Sequence, residues 1–135
     1  MGFVLDFFKS IFGICRTKAL SSDLWHLEGS SARIPIHKVP EFQGPEGAVY
    51  LEGKGIKFPV LVVKTKDNAY LGFVNRCTHM GHRKLDPVSD KSILRCCSVS
   101  HSTYDLQGRR LSGPAKEDLE TYDVEVVDNE LVIKL

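Results

Sequence analysis

Apolar positions change period once along this chain. At the N-terminal end the spacing is helical: Val4, Phe7, Phe8, Ile11, Phe12 and Cys15 recur at intervals of three and four. That spacing lays a single apolar stripe along a helix, with Asp6, Lys9 and Ser10 largely opposite it. The pattern predicts a short amphipathic helix over residues 3–15. Residues 16–31 are polar and serine-rich apart from Trp25, and read as a connector. From Ala32 onward the pattern is that of strands. Residues 32–36 and 48–51 are short β candidates on either side of a Gly44-Pro45 turn signal. Residues 58–65 are rich in Val and Leu and turn at Asp67-Asn68 into residues 69–75, a hairpin. Asp86-Pro87 and Ser89-Asp90 mark a loop, residues 93–96 a short strand, and residues 104–109 a strand and turn. Residues 121–127 and 130–135 alternate and meet at Asp128-Asn129, a terminal hairpin. The expected fold is all-β and antiparallel over residues 32–135, preceded by helix and connector over residues 1–31.

The 135 residues suffice for one compact domain with a core, and not for two. Net charge is +1 with 26% charged residues, so no strong field recruits nucleic acid, which is not an expected partner. The apolar tract over residues 3–14 is interrupted by Asp6, Lys9 and Ser10 and is too short to span a bilayer. It also lacks the basic flank and small-residue cleavage site of a secretory signal. The expected location is the cytoplasm, with membrane association left open. Residues 3–15 are read first as a helix packed on its own domain. A peripheral membrane contact and docking on a larger subunit are the alternatives.

Four cysteines are present: Cys15, Cys77, Cys96 and Cys97. Two are adjacent and two fit metal spacing, which argues against a disulfide framework. One box reads Cys77-Thr78-His79-Met80-Gly81-His82, and a second runs from Cys96 and Cys97 through Ser100, His101, Ser102 and Thr103 to Tyr104 and Asp105. Thiolate and imidazole one residue apart can each reach a different iron, and Gly81 lets the backbone turn closely there. Two such boxes could hold a two-iron, two-sulfur cluster.

Together the boxes resemble those of the Rieske family, usually C-x-H-x-G-C and C-x-x-H-G-S-x-[FY]-D. The second box matches at Cys97, Ser102, Tyr104 and Asp105. It departs at Ser100, which stands in the slot of the second His ligand, while His101 takes the usual Gly slot. His82 and Val99 occupy the positions of the disulfide of cytochrome bc Rieske proteins, so that bridge is absent. The resemblance implies Cys77, His79 and Cys97 as metal ligands. His101 is the expected fourth, with Ser100 and Cys96 as alternatives. Ser100 offers a hard, protonated hydroxyl, and Cys96 at a strand end also reads as a buried apolar residue. The resemblance further implies that Ser102 and Tyr104 donate hydrogen bonds to cluster sulfur, raising its potential. Residues 111–115, with Gly113-Pro114, resemble the segment that shields the cluster.

The expected function is one-electron transfer by a Rieske-type [2Fe-2S] protein, or by a subunit of a redox complex, with a redox protein as partner. An electron-transfer protein or subunit is expected ahead of a stand-alone enzyme, and an oxygenase is not expected, since the chain has no room for a second catalytic domain and no mononuclear-iron facial triad. The alternatives are a degenerate fold without a cluster, acting as an interaction subunit, and a single zinc at Cys77, His79, Cys97 and His101.

Overall fold

The computed structural model describes residues 16–78, 84–88, 92–97 and 102–135. The helix expected over residues 3–15 lies outside them. The described chain forms eleven strands: β1 (His26–Glu28), β2 (Ser31–Pro35), β3 (Gly47–Leu51), β4 (Val60–Lys64), β5 (Tyr70–Val74), β6 (Leu85–Val88), β7 (Ile93–Cys96), β8 (Thr103–Asp105), β9 (Arg110–Ser112), β10 (Thr121–Val127) and β11 (Glu130–Lys134). They pair antiparallel in two sheets, one ordered β1-β2-β11-β10-β5-β4-β3 and the other β6-β7-β8-β9. This is the all-β antiparallel class that the alternation predicts. The terminal hairpin turns where expected, with Asp128 and Asn129 both at positive φ (50° and 65°), as a two-residue hairpin turn requires.

β4 explains why residues 58–65 are rich in Val and Leu. Every one of its residues is buried. Successive side chains of a strand point to opposite faces. Val60 and Val62 enter a first core with Trp25, Ile34, Phe42, Leu51, Leu131 and Ile133. Leu61 and Val63 enter a second core with Phe73, Leu85, Leu94, Tyr104 and Leu119. The strand is thus a wall shared by two cores, and the second core underlies both boxes. Lys64 ends it buried, its charge bonded to the carbonyls of Phe42 (2.8 Å) and Gly44 (2.6 Å), so desolvation is compensated.

Two stretches differ from their sequence reading. The Asp86-Pro87 pair, expected in a loop, lies inside β6. That strand is an edge of its sheet, where proline's missing N–H leaves no ladder bond unmade. Residues 16–31, expected as a connector, are folded. Leu20 N–H bonds Tyr50 C=O (2.8 Å), Tyr50 N–H bonds Lys18 C=O (3.1 Å), and β1 pairs with β2. Only Leu20 and Trp25 of this stretch are buried, too few for a periodic signal. Asp86 ties the stretch down further. Its buried carboxylate accepts the backbone N–H groups of Arg16 (2.8 Å) and Thr17 (2.9 Å). Residues 16–20 thereby strap the small sheet to β3 of the large one.

Candidate metal centre

The described flanks of the two boxes are brought together at one end of the small sheet by main-chain pairing. Leu85 is paired with Cys96 across β6 and β7, and Cys97 N–H bonds Lys84 C=O at 3.0 Å. The exit from the first box therefore runs beside the entrance to the second. Asn75 pinches the first box shut: its Oδ1 accepts Leu85 N–H at 2.9 Å, while its own N–H bonds Pro59 C=O at 2.8 Å. The second box closes through Cys96 N–H to Ser102 C=O, 2.8 Å.

Cys77 is fully buried in the second core. Its Sγ lies 3.6 Å from the hydroxyl of Tyr104, which is also fully buried. Tyr104 Oη in turn accepts Thr78 N–H at 3.1 Å and lies 2.8 Å from Thr78 Oγ1. Burial pushes the Tyr104 pKa up to about 12; the Cys77 contact adds to the rise, against the opposing bonds from Thr78. Tyr104 therefore keeps its proton at neutral pH and stays a donor.

Ser102 is buried as well, and its Oγ accepts Ala115 N–H at 3.1 Å, a bond that does not use its own proton. The 113–115 segment closes over it only because residue 113 is glycine. Gly113 has φ +94°, and a Cβ there would lie 2.5 Å from Ser102 Cα. Arg110 holds the same segment, its Nε donating to Ala115 C=O and its backbone N–H to Asp118 Oδ1 at 2.9 Å. Asp105 organises the β8–β9 turn. Burial opposes its ionisation, but bonds from the backbone and guanidinium of Arg109 and from Gln107 N–H outweigh this and hold its carboxyl below the usual range.

Among the sequence-expected ligands, Cys77 and Cys97 are described, while His79, Ser100 and His101 lie outside the described residues. Cys97 is 6% exposed and disulfide-bonded, so in this state its sulfur is not a thiolate. Cys96 lies in the second core opposite Leu85. No group of three or more His, Cys, Asp or Glu gathers among the described residues. The described side of the site nevertheless suits a thiolate-held cluster. A buried Cys sulfur faces a neutral phenol, and a buried serine hydroxyl lies under a close-fitting glycine segment. The basic residues flanking the boxes have internal work: Lys84 bonds Tyr50 Oη (3.0 Å) and pairs with Glu52 (3.5 Å), and Arg109 pairs with Asp105 (2.7 Å). Sequence reasoning passed over Thr78 and Asn75. Asn75 acts through the Leu85 backbone, and Thr78 through the Glu117 carbonyl and the Tyr104 hydroxyl, contacts distant in sequence that leave no spacing pattern.

A model of the Rieske [2Fe-2S] domain matches residues 32–123, most of the chain. The chain belongs to that family. Among solved structures it is similar to the cyanobacterial plasma membrane Rieske protein PetC3 from Synechocystis PCC 6803, with 28% identity and a TM-score of 0.53. That match covers 64% of this chain and 86% of the other. No curated protein matches it. Family and neighbour together place this Rieske domain among electron-transfer proteins in general terms. No helix among the described residues is long and apolar enough to cross a membrane.

Proposed function

We propose that this chain carries single electrons on a [2Fe-2S] centre held by Cys77, His79, Cys97 and His101. One observation carries the reading: the neutral Tyr104 hydroxyl lies 3.6 Å from the buried Cys77 sulfur. A phenol held against a ligand sulfur supports a reduced, more negative centre. A bound centre would supply reversible one-electron chemistry. The protein's residues would do the rest. Tyr104 and Ser102 donate toward sulfur, the 113–115 segment excludes water over Ser102, and Asn75 keeps the first box closed. Ligation needs the Cys97 thiolate, so its disulfide must first be opened. A dithiol reductant does this, giving two protein thiols and becoming a disulfide itself.

PetC3 is described as a plasma membrane protein. By analogy, the proposed partner is a redox protein or complex at a membrane surface, approached from the cytoplasmic side and docked through residues 3–15. The Cys97 disulfide favours a second reading, a cluster-free interaction subunit. Reduction followed by anaerobic reconstitution with iron and sulfide separates the two. The electron-carrier reading expects roughly two irons per chain, loss of both in His101→Ala, and retention in Ser100→Ala. Zinc in place of iron, or no metal after full reduction, favours the alternatives. Iron retained in His101→Ala moves the fourth ligand to Ser100, Cys96 or an outside group.

A further inference from the structure

Three contacts at the first box compete for two hydroxyl protons. Thr78 Oγ1 lies 2.8 Å from the Glu117 carbonyl oxygen and 2.8 Å from Tyr104 Oη. Tyr104 Oη lies 3.6 Å from Cys77 Sγ. A carbonyl only accepts, so the Thr78 proton goes to Glu117. The Thr78–Tyr104 contact then uses the Tyr104 proton. As a thiol, Cys77 donates its own S–H to Tyr104 Oη, and every contact is served. As a metal ligand Cys77 is a thiolate with no proton to give. Two protons must then serve three contacts.

The Glu117 contact is the one that yields. Glu117 is exposed, and water can replace a lost donor there. The sulfur is buried and, once ligated, charged, so a donor turned toward it gains more. We infer that Thr78 is a two-position donor that bonds Glu117 while Cys77 is a thiol and turns to Tyr104 once Cys77 is a ligand, releasing the Tyr104 proton to the sulfur. This inference rests on the cluster reading. In the second position the bonds run head to tail, Thr78 to Tyr104 to Cys77, and each donation strengthens the next. Thr78 is thus a positioning residue that acts on the centre through Tyr104. Loading also removes one tether from the segment around Glu117. That segment keeps its bonds from Leu119 N–H to Gly108 C=O (2.7 Å) and from Ala115 N–H to Ser102 Oγ (3.1 Å).

The test compares hydrogen exchange over residues 116–120 in the full reduced chain before and after loading with iron and sulfide. Iron content is measured on the same samples. In the wild type, exchange there should rise on loading. In Thr78→Val it should already be raised before loading and change no further. Tyr104→Phe should show no rise, since Thr78 then has no other acceptor to turn to, and Thr78→Ser should behave as wild type. The reduction potential gives a second readout. Thr78→Val should lower it in the wild-type background and leave it unmoved in Tyr104→Phe. A loaded wild type with unchanged or slower exchange overturns the inference and leaves the cluster reading standing. So does a Thr78→Val potential shift of equal size in both backgrounds. A reduced wild type that takes up no iron overturns both.

Discussion

Gly113 shows how much of this site rests on one missing methyl group. Its φ of +94° is costly for any side chain, and a Cβ would stand 2.5 Å from the Ser102 backbone. Gly113→Ala should therefore lift the 113–115 segment off Ser102 and break the Ala115–Ser102 bond. The expected cost is about 1–3 kcal/mol, read by denaturant unfolding, with faster loss of iron from the loaded protein. Unchanged stability would mean that the segment does not press on Ser102. Cys77, Ser102 and Tyr104 stood out as candidates in the sequence because they lie in compact boxes. Thr78 was not, since in C-x-H it stands as the spacer. Its bonds to Glu117 and Tyr104 span 39 and 26 residues of chain. Gly113 was legible as part of a shielding segment, though its contact with Ser102 needed the fold.

At the scale of elements, β4 links the two halves of the molecule. Leu61 and Val62 are neighbours in sequence and face different cores. Leu61→Ala should cost about 2–5 kcal/mol and weaken iron retention, because Leu61 packs in the core that holds Cys77 and Tyr104. Val62→Ala should lower stability with little effect on iron retention at a temperature where both variants are folded. Equal effects on retention would show that the cores do not act separately. β8 ends in Asp105, whose carboxyl is held below its ordinary value of 3.8. A folded-state value below the unfolded one makes its contribution complete above pH 3.8 and progressively lost as acid protonates the folded group. The stability difference between wild type and Asp105→Asn should be constant near neutrality and shrink below that pH; a difference that grows in acid would contradict the bonding described. The strands with clean alternation or clear hairpin signals were legible. β6 was hidden because Asp-Pro signals a turn unless the strand is an edge. The folded course of residues 16–20 was hidden because it rests on main-chain bonds and the distant Asp86.

For the whole molecule, the two sheets divide the labour. The large sheet and its core form a base, and the small sheet carries the described flanks of both boxes at one end, strapped to the base by residues 16–20. The family was readable from the box order alone. The displaced histidine was readable too, but its consequence was not, because one residue of register in a loop decides where an imidazole points. The disulfide at Cys97 is a feature that no spacing announced. The central claim is that a cluster with two imidazole ligands forms between these boxes. It is tested most directly by EPR with nitrogen hyperfine spectroscopy on the thiol-reduced, reconstituted and then one-electron-reduced protein. The expected result is a [2Fe-2S] signal coupled to nitrogen from two imidazoles in the wild type, and no cluster signal in His101→Ala. A cluster signal without imidazole nitrogen, or iron-free protein with no signal, would contradict it.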